Sequence, residues 1–462
     1  MDYKNYLSPF SWRYGSSEMR QIWSEHNKRL LWRSIWVALA ETQAEFGLVT
    51  QDQIDDLRTH QTQIDVDRAV EIEAEIRHDV MAEIKTYAEQ CPIGGSVIHL
   101  GATSMDVVDN TDALRVKQSL TLVLEKLELL LTALAEKIGA YANLVVMGHT
   151  HIQPAEPTTL GYRLAQYGQD FLLDYLAIAQ ASREIKGKGF KGAVGTGASY
   201  SELIGEENLE KFEQLMSSKL DIYFFPVATQ TYPRKQDYQI TNAIAGLGAS
   251  VYKMAFDLRI LQSPPFGELS EQFGKKQVGS SAMPFKRNPV TAEKINSLGR
   301  ALAQMPRLAW DNAAHSLLER TLDDSANRRS ALAETFLICD ELLQGSLRIV
   351  QGLQVNLSAI QRNLETYGPF AATERVLMAL GKKGADRQAM HEYIRRHSLT
   401  AWEAVQQNKA NPLTENISQD PVFLQCLSSQ EIYELMEAKT HIGFAPARAR
   451  QLAQQIKDCL EN

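Results

Sequence analysis

The chain is poor in the features that staple, anchor or energise many proteins. Its four cysteines, Cys91, Cys339, Cys426 and Cys459, are scattered with no C-x-x-C pair, so neither a zinc site nor a disulfide framework is expected. No stretch approaches the roughly 20 apolar residues of a membrane span, and Met1–Trp12 has no apolar core of signal-peptide length. A reducing cytoplasm is the expected compartment. G-x-x-x-x-G-K-[ST] and G-x-S-x-G are missing, which leaves no case for a P-loop ATPase or an α/β-hydrolase. Gly192-Ala193-Val194-Gly195-Thr196-Gly197 has reversed dinucleotide spacing and no apolar strand before it, so a Rossmann site is discounted. Lys plus Arg number 48 against 56 Asp plus Glu, a net charge of −8 that argues against nonspecific nucleic-acid binding. Alternating β-branched runs are almost absent, which excludes a large sheet.

Helical periodicity is what remains. Leu120, Leu124, Leu127, Leu131, Leu134 and Ile138 follow alternating steps of four and three, as do Ile240, Ile244, Leu247, Val251, Met254, Leu258 and Leu261. Such seams pack long helices side by side at shallow angles. Each belongs to a helix of about 30 residues, or about 45 Å. Leu122, Leu129 and Leu130 lie off the first seam, so that helix belongs at a bundle centre or a subunit interface. A third long helix is expected after Pro289, through Leu298 and Leu302 to a kink at Pro306. Short strands are expected near Gly187–Val194 and Ile222–Pro226, and beyond Val355 short helices broken at Gly368-Pro369, Gly381 and Pro412. At 462 residues, 44% apolar and 23% charged, the chain is long enough for two or three domains of a globular protein. The expectation is an all-α chain of three domains, a helical 1–103, a long-helix bundle 104–355 and a helical 356–462.

Five clusters can carry chemistry. Ser280-Ser281-Ala282-Met283-Pro284-Phe285-Lys286-Arg287-Asn288-Pro289, with Glu293 beyond, follows Gly279 and a polar run and reads as a mobile loop feeding a helix. Its hydroxyls, Lys, Asn and helix N-terminus suit an anion, and a serine there could have its alkoxide stabilised; alone it would be a helix cap. Arg77-His78-Asp79 reads as part of a helix, and by itself as a solvated face. Thr103 and Ser104 precede the first long helix and by themselves are caps. His149-Thr150-His151 lacks partners at metal spacing, so one histidine acting as acid–base fits better than a metal site. Glu319–Arg329 packs three arginines and three carboxylates into eleven residues. Such a run is usually a salt-bridged face, but Arg320 and Arg329 around Ser325 suit a phosphate or carboxylate.

Together these clusters resemble the fumarase/aspartase superfamily, whose signature S-S-x-M-P-x-K-x-N-x-x-x-x-E is complete in Ser280, Ser281, Met283, Pro284, Lys286, Asn288 and Glu293. Within it the chain is similar to the adenylosuccinate lyase family, through Ser11-Trp12-Arg13-Tyr14, Arg77–Ala82, Gly101–Ser104, Thr150–Ala155, Gln230–Lys235 and Glu319–Arg329. The resemblance spans residues 8 to about 340, roughly three quarters of the chain. It implies an all-α homotetramer whose core is a shared bundle, with sites assembled from three subunits and with neither metal nor cofactor. The implied reaction is β-elimination of fumarate from adenylosuccinate and from the succinyl-aminoimidazole-carboxamide ribotide, both small nucleotides. It further implies Ser280 as base, His151 as general acid oriented by Glu293, and Lys286 and Asn288 on the succinyl carboxylates. Arg13, Tyr14, Arg320, Ser325 and Arg329 would grip the phosphoribosyl end, with Arg77 on phosphate. His78, Asp79, Thr103, Ser104 and Gln230 would position base and succinyl groups. Neither a nucleic acid nor a membrane is an expected partner. One position departs from the pattern, since Lys294 stands where arginine is frequent and lacks its planar fork.

Overall fold

The computed structural model describes residues 4–461; Met1–Tyr3 and Asn462, which the first and third expected domains include, lie outside the described residues. The helices and strands run α1 (Ser17–Ile22), α2 (Glu25–Ala44), α3 (Gln51–His60), α4 (Val66–Ile76), α5 (Asp79–Gln90), α6 (Ser104–Ala140), β1 (Val145–Thr150), β2 (Gln153–Thr159) and α7 (Leu160–Arg183). Next come β3 (Lys186–Gly187), α8 (Ala198–Ile204), α9 (Leu209–Leu220), β4 (Tyr223–Phe224), α10 (Lys235–Gln262), β5 (Leu269–Ser270), α11 (Val290–Leu302) and α12 (Met305–Ala314). The chain closes with α13 (Asp323–Gln351), β6 (Gln354–Val355), α14 (Leu357–Lys382), α15 (Arg387–Gln406), α16 (Leu413–Gln419), α17 (Pro421–Leu424), α18 (Ser429–Met436) and α19 (Ala445–Glu461). Among the described residues the three sheets have two strands each, so the all-α expectation holds.

Both leucine seams lie on long helices, α6 of 37 residues and α10 of 28. The whole second seam is buried, as is the first except for a half-buried Leu124. Leu129, off the seam, is 57% exposed.

The chain forms two compact units. One comprises residues 1–127, 174–249 and 297–344, the other 128–173, 250–296 and 345–462. The first has a core of Trp32, Trp36, Tyr87, Phe190, Tyr200 and Phe212 with aliphatic neighbours. In the second, Ala372, Val376 and Leu380 of α14 pack with Ile394, Ile417, Phe423 and Ile432.

Four local expectations need correction. After α11 the chain breaks rather than kinks: Pro306 sits in the first turn of α12, where its missing N–H costs nothing. Arg77 and His78 lie between α4 and α5, not inside a helix: Arg77 adopts the left-handed conformation (φ 54°) that ends α4, and the His78 side chain caps α5. Gly368, Pro369 and Gly381 do not break α14, which runs through all three. Finally, β3 and β4 pair in parallel near the two expected strand positions, but the longer antiparallel hairpin β1–β2 was not anticipated.

At Gly161, in the first turn of α7, a Cβ would stand 2.5 Å from the Ile138 carbonyl and 2.6 Å from Ala142 Cα. Alanine would gain about 1 kcal/mol of helix propensity elsewhere. Here Gly161→Ala is expected to be destabilising instead, as a lowered urea midpoint will show, because backbone must move.

Candidate active site

In the first unit, motifs far apart in sequence converge. Asp79 Oδ2 receives the Arg329 guanidinium at 2.7 Å, across 250 residues. Burial works against the Asp79 charge, yet Arg329 outweighs it and holds the carboxyl below its usual range. Beside Asp79, His78 Nδ1 accepts the Met81 N–H at 3.3 Å, which puts the proton of the neutral ring on Nε2. Thr103 and Ser104 open α6, and the Thr103 N–H bonds to Asp106 at 3.0 Å. Asp106 is fully buried and also receives the Lys188 ammonium, the Gly192 N–H and the Tyr200 hydroxyl.

The Gln230 N–H donates to the Glu319 carbonyl at 3.1 Å, tying that segment to the arginine-rich block. Beneath both lies a buried ion network. Arg234 forks onto both oxygens of Asp109 at 3.1 Å and reaches Asp324 at 2.7 Å, and Asp324 in turn holds Arg320 at 2.7 Å. Arg328 bonds Asp237, Asp112 and the Tyr232 hydroxyl. Arg328 therefore points inward while Arg329, one residue on, is largely exposed. Ser325 is half-buried in the first turn of α13. Exposed Arg13 lies 5.7 Å from the Trp12 ring centroid and 6.0 Å from that of Tyr14. Arg20 donates to the Tyr14 and Gly15 carbonyls, while Gly15 and Ser16 N–H groups bond Glu341 and Asp340 of α13.

The second unit carries the remaining candidates. His151 and Ile152 form the two-residue tip of the β1–β2 hairpin, with φ of 55° and 60°. Two positive φ values are the signature of a type I′ turn, which glycine and asparagine normally occupy. A β-branched residue there is strained. Nearby, His149 packs edge-on to Phe266 at 4.9 Å, and burial lowers its pKa, which disfavours its protonated form. On the signature loop, Ser280 Oγ accepts N–H groups from Ala282 and Met283 at 3.3 and 3.1 Å. Asn288 Nδ2 donates to the Gly279 carbonyl at 3.0 Å. Ser281 and Lys286 are exposed, as is Glu293 in the first turn of α11. Among the described residues no side-chain hydrogen bond joins His151 to Glu293.

Among the described residues two clusters bring metal-type ligands within 4.8 Å of one another, Asp56–His60–Cys91 and Glu156–Glu374–His441. Neither includes a candidate site residue. Oδ2 of Asp56 takes the Ile93 and Gly94 N–H groups, and burial pushes the Cys91 thiol up to about 12, far from a thiolate ligand. The second cluster is open to solvent.

Sequence reasoning gave no separate role to Asp106, Asp109, Arg234 and Arg328, although the last two lie inside quoted motifs. The burial of Asp106, Asp109 and Arg328 is marked only by helical phase, which one sequence does not resolve for a polar turn, and Arg234 sits in the turn just before α10.

The pattern of the family described as "Lyase" matches residues 14–302, and that described as "Adenylosuccinate lyase C-terminus" matches 369–452. A crystal structure of the 3-carboxy-cis,cis-muconate lactonizing enzyme from Pseudomonas putida superposes with a TM-score of 0.86 over 97% of this chain and 99% of that one, at 21% identity, which speaks to fold alone. Fold and signature together define a lyase with the fumarase-like all-α architecture. Similarity is higher to the adenylosuccinate lyase of Schistosoma mansoni, 40% identical over 406 residues (87% of this chain, 84% of that protein). The Saccharomyces cerevisiae adenylosuccinate lyase is 38% identical over 463 residues, covering 98% and 95%. The chain belongs to the adenylosuccinate lyase family.

A pH signature follows from His99, which precedes Thr103 at φ 68° and accepts the Trp36 indole N–H on Nδ1 at 3.1 Å. Burial lowers its pKa from 6.5 to about 4. Because the folded value lies below the unfolded one, its contribution is complete above about pH 6.5 and is lost as pH falls through about 4. His99→Gln is expected to flatten the fall in urea-unfolding free energy between those values by up to about 3 kcal/mol.

Proposed function

We propose that this lyase releases fumarate from adenylosuccinate, giving AMP, and from the succinyl-aminoimidazole-carboxamide ribotide. The observation that carries the reading is family membership over nearly the whole chain, joined to an intact signature from Ser280 to Glu293. Ser280 Oγ takes the proton next to the succinyl β-carboxylate. Two backbone N–H groups already point at that oxygen, which favours its alkoxide form. The carbanion spreads as an aci-carboxylate, held by the Lys286 charge and an Asn288 hydrogen bond, and the electron pair then forms the fumarate double bond as the C–N bond breaks. His151, oriented by Glu293, gives a proton to the departing nitrogen.

Arg13, Tyr14, Arg320, Ser325 and Arg329 hold the phosphoribosyl end, with Arg77 on phosphate. His78, Asp79, Thr103, Ser104 and Gln230 position the base and succinyl groups. Loop closure over Ser280 keeps water from the carbanion. We further propose a cytoplasmic homotetramer of three-domain protomers divided at 103/104 and 355/356, each site drawing on three subunits. Support comes from apolar side chains that the long helices leave exposed, Leu129, Leu173, Leu176 and Phe256. No helix among the described residues is long and apolar enough to cross a membrane.

Incubation with adenylosuccinate should yield AMP and fumarate in equal amounts. Ser280→Ala and His151→Ala should each lower kcat at least about 10²-fold with helicity unchanged. Mixing the two inactive variants should restore activity through shared sites. Turnover of argininosuccinate or aspartate instead of adenylosuccinate would refute the substrate assignment.

A further inference from the structure

The signature loop, residues 272–289, leaves and rejoins the fold at two feet, and the same two side chains hold both. Gln262, the last residue of α10, accepts the Glu271 N–H through Oε1 at 3.1 Å and donates through Nε2 to the Arg287 carbonyl at 3.0 Å. One amide thus spans the departing and returning chain. Glu271 is only 6% exposed, and its carboxylate accepts N–H groups from Thr291 at 3.1 and 3.2 Å and from Ala292 at 3.2 Å. These are orphan donors of the first turn of α11, where a negative charge is favoured by the helix dipole. The first foot therefore caps the helix that forms the second.

The loop above the feet is drawn into a neck. Asn288 bonds Gly279 across it, and a Cβ on Gly279 would lie 2.1 Å from the Lys286 carbonyl, so only glycine admits this approach. Arg287 stacks its guanidinium 5.4 Å from the Phe273 ring centroid across the same neck. Ser280 hangs immediately beyond Gly279, and its position follows from that of the feet.

We propose that Gln262 and Glu271 are positioning residues for the elimination: they clasp the base of the signature loop and fix the register in which Ser280 meets the substrate carbon. Neither needs to touch substrate. This inference rests on the role proposed for Ser280. If the clasp acts only when the loop delivers the base, its loss lowers kcat and kcat/KM together, since substrate is gripped mainly elsewhere.

The test uses the full-length protein with adenylosuccinate. Gln262→Leu removes both bonds, whereas Gln262→Glu keeps the acceptor for the Glu271 N–H and loses the donor to Arg287. Both should lower kcat about tenfold or more, the scale of a misplaced catalytic group, with KM within about threefold and the melting temperature unchanged. Trypsin should cut faster at the exposed Lys275, Lys276, Lys286 and Arg287. Should Gln262→Leu fail to fold, Gln262→Glu and Glu271→Gln carry the same comparison. A kcat within about twofold of the parent in folded variants, with Ser280→Ala inactive, overturns the clasp and leaves the base assignment standing. An effect confined to KM or to melting temperature overturns it too. If Ser280→Ala itself remains active, the base assignment fails and the clasp falls with it.

Discussion

The buried fork of Arg234 is the constraint on which the proposed nucleotide-facing half of the site depends. Its guanidinium has 2% of its side chain exposed and is matched by Asp109 with none exposed and Asp324 with 3%. Taking these charges from water costs several kcal/mol per ion, so the network is weak grounds for net stability. Its value is geometric. A planar fork accepts carboxylates only in set directions, so α6, α13 and the start of α10 meet in one register. From that register hang Arg320, bonded to Asp324, and Gln230, whose backbone is tied to Glu319. Arg328 repeats the device one turn further along α13, which leaves Arg329 turned outward to Asp79.

The proposed catalytic groups stand on a different kind of support. The residues proposed to grip substrate sit at the ends of helices locked by buried ions, while Ser280 and Lys286 ride a solvent-exposed loop and His151 the tip of a hairpin. Rigid placement serves binding, whereas a loop can close once substrate is present and shield the carbanion. The strained φ values at His151 and Ile152 belong to the same division, because the hairpin tip leaves His151 exposed.

Much of this was legible in the sequence for identifiable reasons. The seams at Leu120–Ile138 and Ile240–Leu261 repeat long enough for periodicity to decide the structure, and the signature keeps its chemistry in one short segment. Short-range competition hid the rest. Thr150 to Pro154 carries none of the Asn-Gly or Gly-X pairs that announce a hairpin, so the turn bearing His151 was invisible. Gly368-Pro369 reads as a breaker, yet α14 absorbs it, with Gly368 small enough to approach Ala438. Arg77-His78-Asp79 follows a helix-forming run, but its arginine accepts a left-handed cap so that His78 can begin the next helix. In each case packing outweighed local preference, and a single sequence does not display packing.

The central claim, that a buried guanidinium fork aligns the nucleotide grip, is tested most directly by Arg234→Lys. Lysine keeps the charge but is a single point of attachment in place of a planar fork. Steady-state kinetics on the folded variant, with helicity checked by circular dichroism, should show KM for adenylosuccinate raised about tenfold or more, with a smaller change in kcat. A folded variant whose KM matches the parent would contradict the account.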